Sequence, residues 1–207
     1  MPDQFLTLTA ATRAEPPKTK GSRFLGLAAP ATTEADALAV VESARREHHA
    51  ARHHVWAFRL GPDGAQWRGS DDGEPSGTGG RPLLHELESR GLTDAVVVVT
   101  RYYGGTKLGT GGLGRAYGEA ASLVLDVAAE AGRIVQRTVR VPVTLRFAFA
   151  DTSAAMRTLE AFDAEIRDQT YTEVGTTLAL AVRQSQAEAL AAAFVDATAG
   201  RGRVDLG

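Results

Sequence analysis

Two stretches of this chain gather residue types that could do chemistry. The first, "DDGEPSGTGG", places the carboxylates Asp71, Asp72 and Glu74 within four positions, followed by Ser76 and Thr78 among glycines. Carboxylates that close can ligate a hard cation such as magnesium or supply a general base. The same residues also suit a solvated turn whose acids face the positive end of the next helix, and both readings stand at this level. The second stretch, "RYYGGTKLGTGGLGRAYG" from Arg101 to Gly118, holds seven glycines with Arg101, Lys107 and Arg115 and with Tyr102, Tyr103 and Tyr117. Guanidinium and ammonium groups bind phosphate and aromatic faces stack on unpaired bases, so the set suits single-stranded or looped RNA.

Within that stretch Gly109 to Gly114 reads GxGxxG. As a dinucleotide fingerprint it lies too far beyond the preceding apolar strand and lacks the later acidic partner; as a phosphate-binding Walker loop it has Thr110 where lysine is required. What survives is general. A glycine-rich turn opening a helix presents backbone N–H groups, here of Gly109, Thr110, Gly111 and Gly112, together with a positive dipole, to an anion. The competing structural account is that the glycines let the long helix pack closely on a sheet and the tyrosines are half-buried.

The remaining chemistry-bearing residues are weaker signals. Four of the five histidines, His48, His49, His53 and His54, fall within seven positions, but with no carboxylate or cysteine at ligand spacing a zinc site is not expected. His53, at a strand start, could face the functional surface. There is no cysteine, which removes disulfides and thiolate chemistry together, and no GxSxG elbow. The formal charge is −2, with 16 basic and 16 acidic residues up to position 137 and 7 against 9 after it, so neither part coats nucleic acid by bulk charge. The amino terminus has no signal-peptide pattern and no apolar run reaches the roughly 18 residues of a span. The expectation is a soluble cytoplasmic protein with no membrane partner, no cofactor and no resident metal.

The elements that must position these residues follow from periodicity. Ser22 to Pro30 reads as a strand, then a helix capped by Thr33 with Asp36 three residues on. "HHVWAFRL" and "AQWRGS" flank "GPDG" as a hairpin. A helix with Pro82 in its first turn stops at Gly91. "DAVVVVTRYY" is the strongest strand, since four consecutive valines suit burial on both faces. The glycine stretch then leads into a helix from about Leu113 to Gly132. From Thr138 a second pattern, βαββαβ, is that of a ferredoxin-like unit. The fold class is α+β, in two domains, 1–137 and 138–207.

"DDGEPSGTGGRPLL" followed by "VVVVTRYYGGTKLGTGGLGRAYGEA", with "KGSRF" and "ARHHVWAFRLG" upstream, resembles the Impact family in its bacterial, YigZ-like form. The resemblance covers roughly residues 18 to 130. Two positions depart from it: Gly79 stands where alanine is usual and Gly114 where a larger aliphatic is common. The resemblance implies a two-layer α/β first domain similar to a ribosomal-protein domain 2 fold, and a second domain similar to one in elongation factor G. It also implies a translation-associated regulator. Eukaryotic members restrain a translation kinase through an additional amino-terminal domain, and that activity is not expected to transfer. The expected partner is RNA or the ribosome, bound without catalysis through Arg23, Arg101, Tyr103, Lys107, Arg115, Tyr117 and the N–H groups of Gly109 to Gly112. A magnesium-dependent enzyme acting on a phosphorylated small molecule through Asp71, Asp72 and Glu74, and a protein-docking module, are the alternatives.

Overall fold

The computed structural model describes residues 3–207, and the chain divides into two compact units, Met1–Arg137 and Thr138–Gly207. In the first, the elements run β1 (Gln4–Leu8), β2 (Thr12–Ala14), β3 (Arg23–Pro30), α1 (Glu34–Glu47), β4 (His53–Leu60), β5 (Gln66–Ser70), α2 (Gly80–Ser89), β6 (Ala95–Tyr102), α3 (Thr110–Glu130) and β7 (Ile134–Thr138). Five strands form a sheet in the order β2-β3-β6-β4-β5, antiparallel throughout, and β1 pairs with β7.

The valine run of β6 explains the layering. Successive side chains of a strand point to opposite faces. Val96 and Val98 therefore pack with Trp56, Phe58 and the α1 residues Ala37, Val41 and Ala44. Val97 and Val99 pack on the other face with Phe24, with Leu83 and Leu87 of α2, and with Ala116, Tyr117, Ala120 and Val124 of α3. All four valines are fully buried, each worth about 1.5–3 kcal/mol of apolar burial. The expected α+β class holds, with α2 and α3 on one face of the sheet and α1 on the other.

Local signals place most helix ends. Asp36 N–H donates to Thr33 Oγ1 at 3.1 Å and Thr33 N–H to Asp36 Oδ2 at 3.0 Å, a complete capping box for α1. Helix α3 begins at Thr110 rather than near Leu113, so Gly111 and Gly112 lie in its first turn and not in a preceding loop. Sequence reading missed β1 and β2. They are five and three residues long, and β1 pairs with a strand well over a hundred residues away, so little in the local pattern betrays them.

The second unit comprises β8 (Arg140–Ala148), a 3-10 turn at Phe149–Asp151, α4 (Thr152–Leu159), β9 (Ala164–Tyr171), β10 (Gly175–Arg183), α5 (Ala187–Ala197) and β11 (Arg203–Leu206). The strand order β11-β8-β10-β9, antiparallel, is that of the split βαββαβ pattern. Alternation in β8 and β10 sends Val143, Leu145, Phe147, Leu178, Leu180 and Val182 into one core with Leu190 and Phe194 of α5. Asp163 accepts from both Arg140 and Arg183, tying the loop before β9 to β8 and β10.

Candidate nucleic-acid interface

The acidic and glycine stretches meet, at a buried carboxylate. Arg101 follows Val97 and Val99 on the α3 face of β6, opposite Phe24 of β3, and is only 5% exposed. A guanidinium there needs a counter-charge. Glu74, whose side chain is 5% exposed, supplies it: Arg101 Nη1 donates to Glu74 Oε1 at 2.6 Å. The Tyr117 hydroxyl donates to the same oxygen at 2.8 Å. Burial, reinforced by that hydrogen bond, pushes the phenol's pKa well above its ordinary value, so Tyr117 stays a neutral donor. Phe24 meets the Tyr117 ring edge-on at 5.1 Å, and the Arg101 guanidinium lies 5.5 Å from both the Phe24 and Tyr103 ring centres. Arg101, expected to contact phosphate, and Tyr117, expected to stack or pack, both lie in the interior.

The other two carboxylates are also engaged. Asp71 Oδ1 accepts from the N–H groups of Gly79 at 2.8 Å and Gly80 at 2.9 Å, while Oδ2 accepts from Gly77 at 2.8 Å. It caps the start of α2 from outside the helix, which its own N-cap residue, Gly79, has no side chain to do. Asp72 takes Arg45 Nη2 at 2.8 Å and the His54 N–H at 2.7 Å. The Thr78 hydroxyl donates to the Pro75 carbonyl at 2.6 Å, and Ser76 is exposed. Asp71, Asp72 and Glu74 thus face three different sets of protein donors. The magnesium reading loses the shared ligand set it needed, and among the described residues no three His, Cys, Asp or Glu side chains converge as ion ligands.

His53 and His54 serve the same loop. His53 Nδ1 lies 2.8 Å from the Asp72 carbonyl oxygen, and His48 Nδ1 lies 3.2 Å from the Tyr102 hydroxyl. His54 is buried on the α1 face, where desolvation lowers its pKa despite the nearby Asp72 carboxylate.

The glycine stretch itself is outward. Gly104 packs on the turn before β3 so tightly that a Cβ there would fall 1.9 Å from the Gly21 carbonyl carbon, and its N–H donates to Ser22 Oγ at 3.1 Å. Gly105 and Gly109 have φ values of 88° and 73°, which other residues rarely adopt. Beyond them Thr110, Gly111 and Gly112 open α3 with no side-chain cap on their N–H groups. Lys107 and Arg115 are exposed and carry no ion pair among the described residues, and Tyr103 is 55% exposed. Arg23 is held by Glu15 through two hydrogen bonds of 2.7 and 2.9 Å and lies over the Tyr102 ring. A groove of about 980 Å³ runs alongside, walled by Trp67, Arg81 and Pro82 and reaching Gly114 and Gly118 of α3.

The glycines that depart from the resemblance have separate causes. A Cβ at Gly79 would sit 2.6 Å from a Val55 methyl, so alanine there requires the valine to shift; at Gly114 it would meet open space. Sequence reading did not single out Glu74 from its neighbours, nor Ser22. The available signal was that the two motifs travel together.

The first unit thus sets an uncapped helix start beside exposed cations over a buried carboxylate–guanidinium–phenol cluster. The Impact N-terminal domain family matches residues 20–125, and a domain of unknown function, DUF1949, matches residues 145–201. The IMPACT family member in the pol 5′ region of Thermus thermophilus is 50% identical over 123 residues, 58% of this chain and 65% of that protein. IMPACT family member YigZ of Escherichia coli is 49% identical over 108 residues, 51% of this chain and 53% of that protein. These matches thus span less than two thirds of the relatives' own length. A crystal structure of a hypothetical protein superposes with a TM-score of 0.71 at 32% identity, covering 100% of this chain and 98% of the other. The chain belongs to the IMPACT family. Among the described residues no helix is long and apolar enough to cross a membrane.

Proposed function

We propose that this protein is a translation-associated regulator that binds RNA, free or in the ribosome, through its first unit and without catalysis. Membership of the IMPACT family supports a translation-related role at the level of the family. The observation that carries the contact surface is the exposed segment from Tyr103 to Arg115. There two unpaired cations, Lys107 and Arg115, flank the uncapped N–H groups of Thr110, Gly111 and Gly112. Lys107 and Arg115 hold phosphates, the N–H groups donate to the oxygens of a third, and Tyr103 offers a face for stacking. Arg101 and Glu74 hold this segment in place from beneath.

Fluorescence anisotropy with labelled single-stranded RNA over a salt series tests the reading. Binding weakens as salt rises, and Lys107→Ala and Arg115→Ala each flatten the log K against log[salt] slope by about 0.7. Unchanged affinity in both variants would remove this surface. Co-sedimentation with ribosomes before and after nuclease treatment separates RNA contact from docking on a protein, since only the former is lost with the RNA.

A further inference from the structure

The turn from Thr19 to Ser22 carries a residue its backbone does not favour. Thr19 N–H donates to Ser22 O at 2.9 Å and Ser22 N–H to Thr19 O at 3.0 Å, closing a two-residue turn in which Lys20 has φ 46° and Gly21 φ 81°. Positive φ at both central positions is the requirement of a type I′ turn, where Asn and Gly are favoured. Gly21 meets that requirement and a second one, since a Cβ on it would lie 2.8 Å from the Gly104 oxygen. Lys20 adopts the positive φ without being a residue type that favours it. Its side chain is exposed and holds no ion pair among the described residues.

Lysine is also scarce: the chain has three, Lys18, Lys20 and Lys107, against twenty arginines. The contact between Gly21 and Gly104 lays the loop carrying Lys18 and Lys20 directly against the loop carrying Lys107. In the ion pairs described above the cation is arginine. The scarce lysines collect on two touching loops, and two of them are free. A lysine is a mobile point charge suited to a phosphate whose position is not fixed, whereas arginine's planar fork suits a fixed partner.

We propose that Lys20 is a further phosphate contact of the surface assigned above, bracketing a single RNA strand between itself and Lys107. This rests on the RNA-binding reading and extends it to a residue outside the glycine stretch. A lysine kept in a left-handed conformation, where Asn or Gly would be easier, is what a charge retained for a ligand would look like. The committed occupant is the sugar–phosphate backbone of single-stranded RNA.

The test compares the full chain with Lys20→Asn and Lys20→Arg by anisotropy with a fluorescein-labelled oligouridine over a salt series. Asn tolerates the turn's backbone, so the thermal midpoint of Lys20→Asn stays level or rises. Its affinity falls several-fold at low salt and its salt slope flattens by about 0.7, while Lys20→Arg keeps the wild-type slope. Wild-type binding with an unchanged slope and affinity in Lys20→Asn overturns this inference alone. Wild-type protein that shows no salt-dependent binding overturns the RNA-binding reading, and this inference with it. Displacement of the RNA by inorganic phosphate at constant ionic strength assigns the site to a free anion and also overturns the proposal.

Discussion

Glu74 carries a buried charge that three parts of the first unit depend on: the acidic loop, the end of β6 and the body of α3. Breaking a buried ion pair from one side leaves the other charge unpaired, at a cost of about 3–5 kcal/mol. Glu74→Gln is therefore expected to lower stability by that order in urea denaturation. Tyr117→Phe removes one hydrogen bond to the same carboxylate and should cost about 1.5–3 kcal/mol. The paired change Glu74→Leu with Arg101→Met should cost much less than the two single changes together, because no orphan charge remains. His54 sets a pH dependence with a definite sign. Burial holds its folded pKa below the ordinary value, so the unfolded chain takes up a proton first as pH falls. Stability present above about pH 6.5 is lost below it. Denaturant midpoints should drop as pH falls through about 6.5, and His54→Gln should flatten that drop whatever it costs at neutral pH.

At the level of elements, the glycines divide by what their backbone meets, a division invisible in the spelling "GGTKLGTGGLG". Gly104→Ala forces a methyl into the Gly21–Ser22 backbone and should displace the loop, lowering the thermal midpoint and, on the proposed function, RNA affinity with it. Gly114→Ala has open space in a regular helix and should stabilise by about 0.5–1 kcal/mol, read as a rise in the thermal midpoint. The Thr33–Asp36 box, the Gly61–Gly64 hairpin and the valine strand were legible because their determinants are local. The start of α3 was not: glycines suggested a loop, and packing of Leu113, Ala116 and Tyr117 on the sheet carried the helix back to Thr110. Nor was the cap of α2 legible, since Asp71 reaches it from nine residues away.

Across the whole molecule each unit has its own core, Val97, Val99 and their neighbours in one and Leu145, Leu178 and Phe194 in the other. Phe194→Ala should cost the second unit about 3–5 kcal/mol. Hydrogen exchange should show β10 amides losing protection while β6 amides keep theirs. The βαββαβ order and the burial of the valines were determined by sequence alone, because alternation, helical period and turn residues act over a few positions. The linked acidic and glycine motifs likewise marked the family before any contact was known. Only the tertiary structure decided which charges are free. Arg101 and Arg115 look alike in the sequence, yet strand direction buries the first on Glu74 and helix phase leaves the second in solvent. A charge's availability depends on partners distant along the chain, and those are set by packing rather than by neighbours in sequence.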